Sequence, residues 1–196
     1  MEGRKIKKRM VEIVWHARGG QGAKTAAQMA AHVALAEGKF AQGFPEYGPE
    51  RMGAPTRGYT RISEGEIRVH CAITAPDVVV VLDETLVGNV PMTEGVTEET
   101  IFIVNSRKSP KEIKEALGVK KNRVYVIDAT GIAIDELGRS IPNVPMMGAL
   151  VRATGILGLD GFKEDVRKKF GKKFGEKIVA GNIRALERAY TEVKEG

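Results

Sequence analysis

The run Trp15-His16-Ala17-Arg18-Gly19-Gly20-Gln21-Gly22-Ala23-Lys24-Thr25 constrains this chain most, because an apolar stretch stops there at a glycine-rich loop and a helical pattern begins. Val11, Ile13, Val14 and Trp15 before it have the character of a buried strand. Ala26, Met29, Ala30, Val33 and Ala34 after it recur at helical spacing. A strand-loop-helix unit with glycines in its loop lets an anion approach bare backbone N–H groups at the positive end of the helix dipole. The plain alternative is a tight turn without a ligand.

The loop fits neither common phosphate motif. A P-loop has glycine at both ends, whereas Lys24-Thr25 is preceded here by Ala23 and Arg18 stands at the other end. The dinucleotide fingerprint places Gly or Ala three residues after its second glycine, and Gly20-Gln21-Gly22 leads to Thr25 in that slot. Backbone physics therefore favours an anionic ligand, while the spacing argues against an ordinary ATPase or dehydrogenase.

A chain of 196 residues can bury one sizeable core, which predicts a single α/β domain over 1–196 with a basic arm at 1–9. No apolar run approaches the ~20 residues needed to span a bilayer. The basic arm (Arg4, Lys5, Lys7, Lys8, Arg9) precedes too short an apolar stretch for a secretion signal, so the cytoplasm is the expected compartment. The single cysteine, Cys71, excludes an internal disulfide framework and an iron–sulfur cluster held by this chain alone. The net charge of +6 collects in the arm and in Lys163 to Lys177, runs that read as solvated faces and not as a nucleic-acid surface. Charged residues at 29% with sparing use of cysteine suit a thermophile.

Along the chain, Lys39 to Phe44 predicts a second strand, followed by a long loop through Pro45–Pro55. Thr56–Ile62 and Glu66–Ala72 flank Ser63-Glu64-Gly65 and predict a hairpin. Val78–Leu82, Ile101–Val104 and Val124–Ile127 are apolar on both faces, as central parallel strands are. Pro110–Leu117 and Gly131–Leu137 between and after them read as helices, Met146–Ile156 as a buried helix, and Val179, Ile183, Leu186, Tyr190 and Val193 as the stripe of a terminal amphipathic helix. The expected architecture is a three-layer α/β/α sandwich with a mixed, mostly parallel sheet and a helical C-terminal region. Ligands in such sheets gather at the carboxyl ends of the strands, where the Gly19–Gly22 loop, Tyr47–Pro55, Asp83-Glu84 and Asn105-Ser106 should meet.

Catalysis by this chain alone is hard to assemble. His16, His32 and His70 lack partners at metal-ligand spacing, and Cys71 in a strand-like run reads as a packed thiol. Asp83-Glu84 after a buried strand suits helix capping better than acid catalysis, and Met146-Met147 suit a core. Arg51 stands between Pro49 and Gly53, where it either presents its guanidinium to a phosphate or carboxylate or forms a surface ion pair. Asn105 either contacts a polar ligand or closes the turn after its strand.

Taken together, the loop at Trp15–Ala23, the segment Ala41-Gln42-Gly43-Phe44-Pro45-Glu46-Tyr47-Gly48-Pro49-Glu50-Arg51-Met52-Gly53-Ala54-Pro55 and the strand Pro76–Asp83 resemble the gamma subunit of the 2-oxoacid:ferredoxin oxidoreductases. The likeness is closest to the pyruvate-converting branch and continues through Val104-Asn105-Ser106, Asp128-Ala129-Thr130 and Pro142–Leu150. It implies a subunit of a complex that turns pyruvate, coenzyme A and oxidised ferredoxin into acetyl-CoA, carbon dioxide and reduced ferredoxin. It also implies alpha, beta and delta partners, with thiamine diphosphate, magnesium and iron–sulfur clusters held by other subunits. For this chain it implies a coenzyme A site formed by Gly19, Gly20, Gln21, Gly22, Ala23, Arg51 and Asn105, with no catalytic residue and no metal. Related enzymes act on 2-oxoisovalerate, 2-oxoglutarate or indolepyruvate. A stand-alone nucleotide-binding α/β protein and a purely structural interaction subunit are the readings of other classes.

Overall fold

The computed structural model describes residues 9–46, 52–171 and 175–196. Apart from Arg9, the basic arm lies outside them, as do residues 47–51 of the predicted Pro45–Pro55 loop, Arg51 included. Among the described residues all strands join one seven-stranded sheet. Strand β1 (Met10–Arg18) runs into helix α1 (Ala23–Ala36), and β2 (Phe40–Pro45) and β3 (Pro55–Ser63) follow. Then come β4 (Val78–Val81), β5 (Ile101–Asn105), α2 (Pro110–Leu117), β6 (Val124–Ile127) and α3 (Ala129–Leu137). Three helices close the chain, α4 (Asn143–Thr154), α5 (Leu159–Gly171) and α6 (Glu176–Glu192), before the short β7 (Lys194–Glu195).

The order across the sheet is β2-β3-β1-β4-β5-β6-β7, with β1, β4, β5 and β6 parallel and β3 and β7 antiparallel to their neighbours. The central strands read as continuous apolar runs because both faces are covered. Val79, Val81, Phe102, Val104, Val124 and Val126 pack with Ile113 and Leu117 of α2 on one side. On the other, Val78, Val80, Ile101, Ile103, Tyr125 and Ile127 meet α1 and α4. Helix α4 lies inside the helical layer, so nearly all its residues are buried and its sequence shows no polar face.

Small residues set how closely α1 lies on the sheet. A Cβ on Gly43 would stand 2.6 Å from Ala27 O, and one on Gly58 would stand 3.0 Å from Ala23 O. Only bare backbone on β2 and β3 admits an alanine-rich helix at that depth. Trp15 Nε1 donates to Thr60 Oγ1 (2.9 Å), which donates to Ala27 O (3.0 Å), so the buried polar groups of this seam are satisfied.

The predicted hairpin is corrected. Thr56–Ile62 falls within β3, but Glu66–Ala72 forms no strand. Both edges of β3 are occupied, by β2 on one side and β1 on the other, which leaves a following strand no place to pair with β3 as a hairpin. The segment instead crosses the sheet face opposite α1, where Arg61 Nη1 and Gln42 Nε2 donate to Val69 O and Ile67 O at 3.5 Å. With the strand goes the packed thiol, for Cys71 is exposed. The C-terminal basic run falls partly on α5, where Lys163, Arg167 and Lys169 pair with acidic neighbours.

Candidate functional site

The carboxyl ends of β1, β4, β5 and β6 share one edge of the sheet, and four α-helices (α1, α2, α3 and α4) and a short 3-10 turn (Glu84–Leu86) follow or border them there. Most of these helical starts are closed by a side chain. Asp83 accepts from Thr85 N at the 3-10 turn, so it has the capping role predicted for it. Ser109 and Glu112 form a reciprocal capping box on α2, and Asp128 accepts from Gly131 N on α3.

Two starts at this edge differ. Helix α1 begins after Gly22, in the left-handed region at φ 90°, with no side-chain cap and no acid in its first turn. Helix α4 begins after Pro142, again with no side-chain cap and no acid. The two ends adjoin, for a Cβ on Gly22 would lie 2.9 Å from Asn143 Nδ2. First-turn N–H groups have no acceptor inside their own helix, so the α1 start leaves its donors open, while the adjoining α4 start adds its dipole and little more, since Val144 N donates to Asn143 Oδ1 (2.8 Å), Pro145 has no N–H and Met146 N donates to Pro142 O (3.0 Å). That arrangement can hold an anion such as a phosphate.

The glycine loop is held from both flanks. Gly19 N donates to Ala54 O (2.8 Å) and Gly53 N to Gly19 O (3.1 Å), and a Cβ on Gly20 would touch Met52 Sδ at 3.5 Å. Gln21 is turned into the chain: its Oε1 accepts from Arg18 N (2.8 Å) and its Nε2 donates to Asp83 Oδ2 (2.5 Å). Arg18 donates to Thr85 Oγ1 through Nε (3.0 Å) and Nη2 (2.8 Å), and to Gly53 O through Nη1 (3.1 Å). Burial works against ionised Asp83, yet the hydrogen bonds from Thr85 and Gln21 and the charge of Arg18 outweigh it and hold the carboxyl below its ordinary range.

Asn105 is buried, with its amide engaged inside the protein. Nδ2 donates to Leu82 O and Thr130 Oγ1, both at 2.8 Å, and Oδ1 accepts from Thr130 N at 3.1 Å. It thus joins β4, β5 and the start of α3. Ser106 beside it donates to Glu84. Ala23 is buried at the first turn of α1, while Lys24 and Thr25 are exposed. Arg51 lies outside the described residues, and Met52 after it sits over Gly20.

His16, two residues before Arg18, is buried on the face opposite α1. Burial and then the charge of Arg57 push its pKa down to about 4, against a weaker upward pull from Glu46. Thr85, Asn143 and the clasping role of Arg18 were not singled out in the sequence. The Asp83-x-Thr85 spacing, typical of a side-chain-closed turn, was the available signal for the first. Nothing local marked Asn143, which reaches Gly22 only through the tertiary fold. Among the described residues no cluster of His, Cys, Asp or Glu could hold a metal ion, and no helix is long and apolar enough to cross a membrane. With its one cysteine exposed, the donor set does not fit an iron–sulfur cluster on this chain.

Fold and edge together define a doubly covered α/β protein whose strand carboxyl ends form an open edge, the place where ligands gather in sheets of this kind. The profile of the family described as pyruvate ferredoxin/flavodoxin oxidoreductase matches residues 12–192. The chain is 49% identical over 189 residues to pyruvate synthase subunit PorC of Thermotoga maritima, covering 96% of this chain and 97% of that one. The crystal structure of that organism's pyruvate oxidoreductase subunit PORC superposes with a TM-score of 0.86 at 45% identity, covering 96% of this chain and 99% of the other. A second relative, 44% identical over 95% of this chain and 100% of its own length, is the pyruvate/ketoisovalerate oxidoreductases common subunit gamma of Pyrococcus furiosus. The same fold recurs at 22% identity and a TM-score of 0.72 in 2-oxoglutarate:ferredoxin oxidoreductase from Magnetococcus marinus, solved with 2-oxoglutarate, coenzyme A and succinyl-CoA bound. There it matches 93% of this chain but 31% of a longer one. The chain therefore belongs to the pyruvate ferredoxin/flavodoxin oxidoreductase family, in which it is a gamma subunit of the pyruvate synthase type, one part of a multi-subunit oxidoreductase.

Proposed function

We propose that this subunit supplies the coenzyme A side of the active site in a pyruvate:ferredoxin oxidoreductase. The observation that carries the reading is the open start of α1 after Gly22, without a side-chain cap or an acid in its first turn, beside Asn143 of α4 and on an edge where the 3-10 turn, α2 and α3 are closed by side chains. Coenzyme A is rich in phosphate, and within the loop Gly19, Gly20, Gln21, Gly22 and Ala23 the amides of Gly20, Gly22 and Ala23 are the donors that suit one of those groups, those of Gly19 and Gln21 being taken by Ala54 O and Arg18 O. Gln21 serves by shaping the loop, since both ends of its amide are engaged. Asn105 frames the neighbouring strand ends, and Arg51, which lies outside the described residues, is proposed from the sequence alone as a permanent positive charge for the phosphates. The coenzyme A in the Magnetococcus enzyme supports a ligand of this class for the fold.

Alpha, beta and delta subunits would complete the enzyme, holding thiamine diphosphate, magnesium and the iron–sulfur clusters and passing electrons to ferredoxin in the cytoplasm. A second reading extends the first: the Pyrococcus relative is named as common to pyruvate and ketoisovalerate enzymes, which favours a subunit able to serve a branched 2-oxoacid complex too.

Thr25→Glu in the assembled complex separates a ligand site from a merely structural helix start. Thr25 is exposed in the first turn of α1, where a carboxylate stabilises the helix by about 0.3–1 kcal/mol through its dipole. The same carboxylate repels a phosphate. The expected result is an equal or higher melting temperature with a raised KM for coenzyme A and an unchanged KM for pyruvate. An unchanged KM for coenzyme A would overturn the reading.

A further inference from the structure

The hydrogen bonds around the glycine loop close a ring. The Arg18 guanidinium donates to Thr85 Oγ1, Thr85 Oγ1 donates to Asp83 Oδ1, Gln21 Nε2 donates to Asp83 Oδ2, and Gln21 Oε1 accepts from the main-chain N–H of Arg18, where the circuit began. Asp83 Oδ1 also accepts from Thr85 N, and the Arg18 guanidinium lies 3.6 Å from Asp83 Oδ2. Nη1 of Arg18 carries the ring across to Gly53 O, and thus to the segment that packs against Gly19 and Gly20.

We infer that Arg18, Thr85 and Asp83 are positioning residues that hold the glycine loop in its anion-receiving conformation, and that Arg18, the arginine nearest the loop in sequence, clasps it without binding the ligand. This inference rests on the coenzyme A reading of the site. Gly20 and Gly22 both have positive φ, at 95° and 90°, and glycine has no side chain with which to hold such a conformation. A loop that samples several states before the ligand arrives loses affinity in proportion to the ordering it must undergo. The ring removes that freedom through residues 62 to 67 positions away in the chain, just past the carboxyl end of the neighbouring strand β4. It also explains the type of each member. The planar fork of Arg18 reaches Thr85 and Gly53 together, which a lysine ammonium on one flexible stem does not reproduce. The Thr85 hydroxyl both accepts from Arg18 and donates to Asp83, so valine of the same shape breaks the circuit and serine restores it.

The test uses the assembled complex, with KM for coenzyme A, KM for pyruvate and melting temperature measured for Thr85→Val, Thr85→Ser and Arg18→Lys. Thr85→Val and Arg18→Lys should each raise KM for coenzyme A about tenfold and leave KM for pyruvate unchanged, and Thr85→Ser should return it to the wild-type value. A merely structural ring would lower the melting temperature with KM for coenzyme A unaltered, and that result overturns the inference. Thr25→Glu, measured alongside, distinguishes the two failures. If it raises KM for coenzyme A while the ring variants do not, the site stands and the clasp falls. If none of them moves that KM, the site reading fails and the clasp with it. Should Thr85→Val not assemble, Arg18→Lys, which keeps the charge and loses the fork, decides the question by the same readout.

Discussion

Arg57 grips Glu46 with both arms of its guanidinium, Nε at 3.0 Å from Oε2 and Nη2 at 2.6 Å from Oε1, and Tyr59 OH adds a third donor at 3.2 Å. Glu46 ends the described part of the β2 side of the loop, so this clamp fixes where the chain leaves the sheet. Burial acts against the carboxylate, but the Arg57 and Tyr59 bonds prevail and lower its pKa from the ordinary 4.5. A group lowered in the folded state contributes stability above its unfolded pKa and loses it as pH falls through the folded one. Both side chains are more than a third exposed, which limits the pair to about 0.5–1 kcal/mol. Glu46→Gln should therefore destabilise the protein slightly at pH 7 and by progressively less below pH 4.5, as urea titrations at both pH values would show.

His16 gives a larger effect in a different window. Its folded pKa of about 4 lies below the ordinary 6.5, so the unfolded chain takes up a proton that the folded one refuses. Stability from this residue is full above pH 6.5 and declines as pH falls toward 4, by up to about 3 kcal/mol. His16→Gln should flatten the stability profile between those limits. An NMR titration in which His16 takes its proton near pH 6.5 in the folded protein would contradict the assignment.

The parts of the fold legible in sequence were those where local pattern and tertiary use agree. Val78–Leu82 and Ile101–Val104 announce a doubly covered parallel sheet because both faces are in fact covered, and the loop after Trp15 marks the turn into α1 by glycine alone. Glu66–Ala72 misled because its β-branched residues satisfy strand propensity while the neighbouring ladder positions are already filled. Asp83 was readable as a cap, since a carboxylate after a buried strand has few other uses. The pairing of Gly22 with Asn143 and the ring through Thr85 were not readable, because each joins residues whose meeting depends on strand order, which no local pattern encodes.

Close approach of backbones gives a stability prediction within the helical layer. A Cβ on Gly148 of α4 would overlap Leu186 O on α6 and lie 3.0 Å from Tyr190 N, so neither obstacle can swing away as a side chain would. Gly148→Ala should force the two helices apart and lower stability by about 3 kcal/mol. Gly171→Ala, near the end of α5 with nothing within 4 Å of its Cβ position, is the matched comparison and should be neutral or slightly stabilising. Thermal denaturation of the two variants measures the difference directly, and equal melting temperatures would mean that α4 and α6 are not packed as closely as described.

The contact between Gly22 and Asn143 predicts a partial rescue. Gly22→Ala meets two obstacles, a φ of 90° that alanine adopts at a cost of about 1 kcal/mol and a clash with Asn143 Nδ2 at 2.9 Å. Asn143→Gly removes the clash and leaves the backbone strain, so the double variant should recover part of the stability lost in Gly22→Ala, with a coupling of about 0.5–1 kcal/mol. Recovery of coenzyme A binding should be smaller than recovery of stability, because a loop strained at Gly22 still aims its amides wrongly, and Asn143→Gly also adds backbone freedom at the start of α4. Full additivity of the two substitutions in denaturation would show that the helix starts do not touch. Recovery of KM for coenzyme A along with stability would show that the clash alone, and not the direction of the loop amides, governs the site.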